Sequence, residues 1–296
     1  MPSGILLLDK PRGLTSNGAL QRVRKAYGAG SAGHVGTLDP MATGMLPICL
    51  DEATKVIAEI ESGAKAYEFT LALGSRTDTG DADGDIVETL PVPPVDAAAL
   101  EAVLARFRGV QSQVPPMYSA LKRAGRPLYE LARQGIEVER EARRIEIHSL
   151  QLRGRAEQAL DLACECAKGT YIRVLGEDIA RALGTCGHLT RLRRAWVEPF
   201  RDRPMVSLEA VQGGAPGTPS LLPPDAALGA LAAARLTEAQ VTTLRRGQAV
   251  LPDVPVDAPA GRRARAYGPG GEFLGLAEVL PDGRLQPRRL MQPDAQ

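Results

Sequence analysis

The residues best placed for chemistry lie in one turn-rich segment near the N-terminus, residues 33–44, with the sequence GHVGTLDPMATG. Asp39 is the only carboxylate in this segment, and His34 is the only other titratable side chain. The surrounding glycines and proline disfavour helix and strand, so the aspartate is displayed on a loop, where functional groups are commonly found. We therefore predict that Asp39 is placed for catalysis rather than for solubility.

A second segment, residues 168–173 with the sequence KGTYIR, places an aromatic ring close to a guanidinium. Gly169 interrupts the preceding strand, so Tyr171 and Arg173 project from the start of the next helix. Two roles stay open for Arg173: an ordinary arginine on a helix surface, or the partner of a carboxylate in a cleft. Tyr171, like Tyr67, has the alternative role of a half-buried core aromatic.

Two other motifs match known ligand sites only in part. Residues 28–33 fit the G-x-G-x-x-G pattern, but a helix precedes them and a proline-bearing loop follows, which favours a flexible loop over a dinucleotide site. Residues 78–85 hold four aspartates around Gly84, as in a calcium loop. Thr79 and Leu90 stand at the first and last ligand positions, so we predict a solvated turn instead.

The cysteines do not have the spacing of a metal site or of a disulfide framework. Cys164 and Cys166 share one face of a strand, and zinc ribbons prefer a two-residue gap, so a zinc site with Cys186 and His188 is disfavoured. Four cysteines in a chain of this length are instead predicted to be reduced thiols in the core and at the surface.

The composition is that of a soluble globular protein, with 44% hydrophobic and 24% charged residues and a net charge of +1 over 296 residues. Any nucleic-acid site must therefore be a local patch. The basic run at residues 191–194, beside Trp196, is either a solvated edge or a phosphate contact. The apolar run at residues 5–8 is too short for a signal peptide or a membrane span, which predicts a cytoplasmic protein.

The elements that must position these residues are both strands and helices. Apolar periodicity predicts strands over residues 5–8, 66–73, 145–147, 150–152 and 160–166, and helices over residues 52–62, 96–107 and 172–183. A further helix is capped by the Thr15-Ser16 pair and ends at Gly28. Strands occur in hairpin-like pairs as well as between helices, so we predict an α+β fold with a mixed, largely antiparallel central sheet flanked by helices and loops.

The C-terminal part of the chain has a different character. Residues 212–224 are rich in glycine and proline and have no periodicity, which indicates a long loop or a domain boundary. Short strands separated by turn residues follow over residues 262–290, as in a small β-rich module. We predict two domains, over residues 1–232 and 233–296.

At these residues the sequence resembles the TruB-type tRNA pseudouridine synthases. The similar blocks, in the family's order, are residues 7–11, 33–40, 42–44, 76–79, 118–122, 168–173 and 192–194. The C-terminal module resembles the PUA domain of bacterial members. The resemblance implies the pseudouridine-synthase fold and conversion of uridine 55 in the T-loop of tRNA to pseudouridine, without cofactor or metal.

The resemblance also implies roles for individual residues. Asp39 matches the catalytic aspartate, a carboxylate that is ionised at neutral pH and attacks C6, attacks C1′ or abstracts a ribose proton. Arg173 matches the arginine that pairs with it. Tyr67 matches the tyrosine that stacks on the uracil and assists proton removal from C5. Tyr171 and Leu192 match residues that line the uracil pocket.

Further positions and partners follow from the same resemblance. His34 matches a histidine associated with the flipped-out T-loop, and Lys10 is expected to support the catalytic loop or bind a phosphate of the substrate. Residues 111–143 resemble the bacterial insertion that clamps the T-arm, where Lys122, Arg123 and Arg126 suit phosphates. The expected partner is the tRNA T-arm, bound by a monomer. The alternatives are a non-catalytic tRNA chaperone, a guide-RNA-dependent relative and, more remotely, a dinucleotide enzyme.

Overall fold

The computed structural model describes residues 3–123, 125–213 and 219–292. In the first part of the chain lie strands β1 (Gly4–Lys10), β2 (Ala32–His34), β3 (Thr43–Leu50), β4 (Lys65–Leu73), β5 (Ser75–Thr77), β6 (Ile86–Thr89) and β7 (Gly109–Gln113), and helices α1 (Ser16–Tyr27), α2 (Ile57–Glu61) and α3 (Ala97–Arg106). None of the described helices is long and apolar enough to cross a membrane.

The middle and the end of the chain continue this alternation. The middle contains strands β8 (Lys122–Arg123), β9 (Arg126–Pro127), β10 (Arg143–Ala156), β11 (Ala159–Cys166), β12 (Gly187–Val197) and β13 (Val206–Ser207), and helices α4 (Leu128–Ala132), α5 (Ile172–Ala182) and α6 (Leu208–Gln212). The end contains strands β14 (Ala233–Arg235), β15 (Arg263–Tyr267), β16 (Phe273–Val279) and β17 (Leu285–Leu290), and helix α7 (Glu238–Arg245).

A mixed sheet forms the centre of the molecule. Its strands lie in the order β13-β1-β3-β12-β4-β11-β10-β7, and β2 pairs with β3. The β1/β13 and β3/β12 pairs are parallel, and the other pairs are antiparallel. The prediction of an α+β fold with a mixed, largely antiparallel sheet is therefore confirmed. Helices α1 and α5 cover one face with buried apolar side chains: Leu20, Val23, Leu175 and Ile179.

Helix α1 begins and ends where the sequence predicts. The Thr15 side chain accepts a hydrogen bond from the Gly18 amide at the N-cap, and Gly28 ends the helix with φ of 63°. Two other predicted elements differ. Residues 52–62 form a 3-10 helix (Asp51–Val56) and then α2, with Ile57 only half buried. Strand β10 is continuous where two strands were predicted, because a register irregularity near Ser149 is absorbed within one strand.

The end of the 33–44 segment is fixed by the contact between β3 and β12. Gly44, at the start of β3, has φ of 100°, and a Cβ there would overlap the carbonyl oxygen of Arg194 on β12. The Gly44→Ala variant should therefore lose about 2–5 kcal/mol of unfolding free energy, from left-handed strain of about 1–2 kcal/mol and overpacking of about 1–3 kcal/mol. Equilibrium unfolding by denaturant measures this loss of unfolding free energy.

The matched control for this prediction is Gly135→Ala. Gly135 also has a positive φ, 70°, but nothing lies within 4 Å of a Cβ built on it. The Gly135→Ala variant should therefore lose only the part of the unfolding free energy that comes from backbone strain, about 1–2 kcal/mol. Equal losses for the two variants would contradict the inference that close contact between β3 and β12 requires a glycine.

Strands β14–β17 form a separate four-stranded sheet with its own apolar core. This C-terminal β domain also contributes Leu276 and Met291 to a cluster with Ile5 and Phe200 of the first part. The Lys55 ammonium donates to the carbonyl of Leu290 across the same junction, at 2.8 Å. The predicted loop over residues 212–224 falls partly outside the described residues, and the boundary at residue 232 stays a prediction.

Candidate active site

The loop between β2 and β3 carries Asp39 and is held from beneath by polar side chains. Ser16 Oγ accepts from the Leu38 amide at 2.8 Å and donates to the Leu38 carbonyl at 3.0 Å. The Lys10 ammonium donates to the carbonyls of Leu14 at 2.7 Å and Pro40 at 3.4 Å. These bonds satisfy backbone groups on both sides of Asp39, so its position is set by the surrounding structure.

Asp39 and Arg173 form a bidentate ion pair. Arg173 Nε lies 2.9 Å from Asp39 Oδ2, and Nη2 lies 3.2 Å from Oδ1. The same guanidinium donates to the carbonyls of Thr79 and Tyr118, each at 2.6 Å. The Arg173 side chain is only 5% exposed, whereas that of Asp39 is 33% exposed. Of the two roles open for Arg173, the structure shows the partner of a carboxylate, with the carboxylate facing the open side.

A second carboxylate, Asp81, lies behind this pair. Its Oδ2 is 3.7 Å from Arg173 Nε, and the residue is buried. The prediction of a solvated turn over the acidic segment is therefore wrong at Asp81. Its Oδ1 accepts from Thr79 Oγ1 at 2.7 Å and from the Asp83 amide at 3.1 Å, so the turn folds around it. Sequence reasoning missed this residue because four similar aspartates occur together and nothing local distinguishes the inward one.

Burial and neighbouring charges shift the pKa of the Asp39 carboxyl in opposite directions. Burial raises the pKa of the Asp39 carboxyl, and the Asp81 carboxylate raises it further, while Arg173 lowers it. The bidentate pairing with Arg173 is the geometry of an ionised carboxylate. The Asp39 carboxyl therefore has a raised pKa and a geometry that suits its ionised form.

The Asp39 carboxylate lines a cavity of about 680 Å³. Tyr67, Tyr171 and Leu192 line this cavity together with Asp39 and Arg173. Tyr67 lies on β4, and burial raises the pKa of its phenol to about 12, so it is neutral at pH 7. Aromatic and aliphatic walls beside a carboxylate suit a flat heteroaromatic base.

Neither His34 nor Lys10 lines the cavity, and His34, at the end of β2, is half-buried. His34 Nδ1 is 3.1 Å from the Gly36 carbonyl, and burial lowers the pKa of the imidazole, which keeps it neutral at pH 7. Lys10 is fully buried, and burial lowers the pKa of its ammonium to about 8, partly offset by Asp39. Of the two roles expected for Lys10, this position favours loop support over direct substrate binding.

Exposed basic side chains lie at the cavity and in the predicted clamp segment. Arg143, Arg144 and Lys168 line the cavity and are exposed to solvent. Lys122 and Arg123, on β8 of the predicted clamp segment, are exposed as well. The pair Arg143-Arg144 was missed by the sequence reasoning, although adjacent arginines at the start of a strand are a possible signal. Guanidinium and ammonium groups around an aromatic cavity suit the phosphates of a nucleic acid.

Known proteins are similar to this chain in sequence and in fold. The protein-family model described as the TruB family pseudouridylate synthase N-terminal domain matches residues 24–172. Those described as the tRNA pseudouridylate synthase B C-terminal domain and the pseudouridine synthase II TruB C-terminal part match residues 173–216 and 232–291. The chain of a crystal structure of a Cbf5-Nop10-Gar1 complex has a TM-score of 0.72 at 23% identity, over 94% of this chain and 79% of that chain, a likeness of fold.

Two curated relatives are similar over nearly their full length. The chain is 49% identical over 292 residues to the tRNA pseudouridine synthase B of Aromatoleum aromaticum, covering 97% of this chain and 92% of that protein. It is 45% identical over 301 residues to that of Aeromonas salmonicida, covering 98% and 93%. The family model and the curated relatives define an enzyme of the pseudouridine synthase class, an isomerase. Within that class, the chain belongs to the TruB family.

Proposed function

We propose that this protein converts uridine 55 in the T-loop of tRNA to pseudouridine. The observation that carries the proposal is the bidentate Asp39–Arg173 pair at the wall of an aromatic-lined cavity. The names of the two relatives, both tRNA pseudouridine synthase B, support tRNA as the substrate. The basic edge of the cavity supports an RNA ligand, because phosphate contacts position a nucleic acid without reading its sequence.

The reaction is an isomerisation, so its atoms balance within the substrate. The C1′–N1 bond breaks, C5 of the detached uracil bonds to C1′, the C5 proton leaves and N1 gains a proton. Neither a group donor nor an oxidant is needed. Asp39 acts on the uridine as the anionic group, and Arg173 keeps it charged and oriented.

The remaining residues take the roles that the resemblance to the family implies. Tyr67 and Tyr171 hold the uracil between aromatic surfaces, with Leu192 as an apolar wall, and Tyr67 assists removal of the C5 proton. His34 contacts the opened T-loop beside the catalytic loop, and Lys10 supports that loop. A base stacked in the T-loop cannot reach this cavity, so it must flip out at a cost of a few kcal/mol that pocket stacking offsets.

The larger architecture fits the same substrate. Residues 111–143, with exposed Lys122, Arg123 and Arg126, form the segment that clamps the T-arm. The C-terminal domain, a PUA-like module over residues 233–296, provides an accessory RNA contact. The proposed active form is a monomer that acts on tRNA in the cytoplasm.

The test is pseudouridine formation in an unmodified T-arm stem-loop transcript without added cofactor. Wild-type protein should convert the T-loop uridine, and a transcript with cytidine at position 55 should bind and stay unmodified. Binding of the first transcript without conversion would refute the proposed activity in favour of a chaperone. Conversion that requires an added guide RNA would refute the stand-alone form.

The Asp81 carboxylate predicts a shift in the pH dependence of catalysis. The rate should fall as the pH falls through the raised pKa of Asp39, because only the ionised carboxylate is active. Since Asp81 contributes to raising that pKa, Asp81→Asn should move the acid limb to lower pH. Single-turnover rates measured across the acid limb of the pH profile test this shift. Asp83→Asn, an exposed change in the same turn, is the control and should leave the acid limb of the pH profile in place. If Asp81→Asn does not move the acid limb, this electrostatic role of Asp81 is refuted.

A further inference from the structure

Arg194, on strand β12, is a buried cation that the roles above do not use. It is 1% exposed, and its Nε donates to the Met45 carbonyl at 2.7 Å. Its Nη2 donates to the Val35 carbonyl at 3.1 Å. Val35 and Met45 immediately flank residues 36–44, the loop that carries Asp39. One guanidinium therefore joins the two ends of the catalytic loop.

The same side chain also faces the aromatic wall of the cavity. Arg194 lies directly opposite Tyr67 in the register of β12 and β4, and both side chains line the cavity. The guanidinium also lies near enough to the Tyr67 phenol to counter part of the effect of burial on its pKa. Its Nη1 would lie 3.0 Å from a Cβ built on Gly36, so the first residue of the loop rests on it.

A purely structural role explains this residue poorly. No carboxylate in the described part of the chain forms an ion pair with Arg194, so the charge is buried against two carbonyl oxygens, with Tyr67 opposite it on the neighbouring strand. Burying a charge without an ionic partner costs free energy that an apolar side chain of similar volume would not. A rigid planar fork with several donors, in contrast, fixes several groups at once.

We propose that Arg194 is a positioning residue that fixes the Asp39 loop and the Tyr67 phenol relative to each other. This inference rests on the proposed function, in which Asp39 and Tyr67 act on the same uracil. Arg194 touches neither the pairing atoms of Asp39 nor the Arg173 guanidinium. It acts through the loop ends on one side and through Tyr67 on the other.

The test is a double-mutant cycle of Arg194→Lys and Tyr67→Phe. Lysine keeps the charge but lacks the planar fork that reaches both carbonyls from the strand position opposite Tyr67. Single-turnover rates at saturating T-arm RNA should fall at least about tenfold for Arg194→Lys, with the Kd for RNA within about twofold of wild type. In the Tyr67→Phe background the same change should cost clearly less, because part of its effect passes through the phenol. Fold-losses that multiply in the double variant would overturn the link to Tyr67.

A second measurement does not depend on catalysis. In the free protein, amide hydrogen exchange over residues 36–44 should accelerate in Arg194→Lys. Arg108→Lys is the control, because Arg108 is another arginine that bonds a backbone carbonyl, that of Leu150 on β10, through Nε at 3.0 Å and Nη2 at 2.7 Å, but it lies away from the Asp39 loop and pairs with Glu101. Exchange in the loop that is unchanged by Arg194→Lys would overturn the proposal, even if wild-type protein converted no RNA and the proposed function had failed.

The remaining outcome is a variant that does not fold. If Arg194→Lys does not fold, the Gly36→Ala variant is measured in its place, because its new methyl group presses on the Arg194 guanidinium and leaves the charge of Arg194 unchanged. The same rate loss and the same reduced cost in the Tyr67→Phe background are expected. Gly109→Ala, with φ of 86° and nothing within 4 Å of its Cβ, controls for backbone strain alone. Equal rates for these two glycine variants would overturn the proposal.

Discussion

Replacing Asp39 with asparagine is expected to abolish pseudouridine formation while RNA binding persists. The amide has nearly the volume of the carboxylate but carries no negative charge and is a poor nucleophile and base. Loss of a group that acts directly on the reacting atoms lowers the rate on the order of 10⁴-fold or more. Because the C5 proton leaves during the reaction, tritium release from a T-arm transcript labelled at C5 of uridine measures the rate.

The neighbouring groups make this variant easy to interpret. Arg173 keeps a carboxylate partner in Asp81, at 3.7 Å, so the buried cation is not left alone. The thermal unfolding midpoint should stay close to that of wild type, and the Kd for the stem-loop should change less than threefold, about 0.6 kcal/mol. Tritium release within tenfold of wild type would contradict a catalytic role for Asp39.

The second large effect is expected for Arg173→Lys. Lysine keeps the positive charge but cannot form two bonds to Asp39 and also reach the carbonyls of Thr79 and Tyr118. The carboxylate then moves away from its fixed orientation, and misplacement by about 1 Å costs on the order of 10²-fold in rate. Single-turnover tritium release at saturating RNA measures this loss, and filter binding measures affinity.

Arg181→Lys is the control for this prediction. Arg181 lies on the same helix, α5, but is 67% exposed and pairs with Asp178 at 2.7 Å on the outer face. Its rate should equal that of wild type. A rate loss for Arg173→Lys of only a few fold, or one explained by weaker RNA binding, would show that charge alone matters and that the bidentate geometry does not.

Local signals single out both groups of the pair, although they leave open whether Arg173 lies on the surface or pairs with a carboxylate. Asp39 stands alone among glycines and a proline, and Arg173 follows a glycine that ends a strand. Asp81 and Arg194 have no such signal. Asp81 is one of four aspartates in a turn, and Arg194 is one of three arginines in a basic run; only the tertiary structure turns each of them inward.

The fold is predictable to a similar degree and for similar reasons. Alternating apolar residues identify β4 as a strand with Tyr67 near its start, and the caps at Thr15 and Gly28 define α1. The pairing order of the sheet depends on contacts far apart in the chain, which local patterns do not encode. The split of residues 52–62 into a 3-10 helix and α2 has the same origin, because neighbours in space determine which side chains are buried there.

The measurement that tests the central claim most directly is nucleotide-resolution mapping of pseudouridine in a full-length unmodified tRNA transcript. Wild-type protein alone should modify uridine 55 and leave the other uridines unchanged, and Asp39→Asn should modify none. This result follows if the cavity beside the Asp39–Arg173 pair accepts a base flipped out of the T-loop. Modification at other uridines in place of position 55, or equal modification by wild type and Asp39→Asn, would contradict the account.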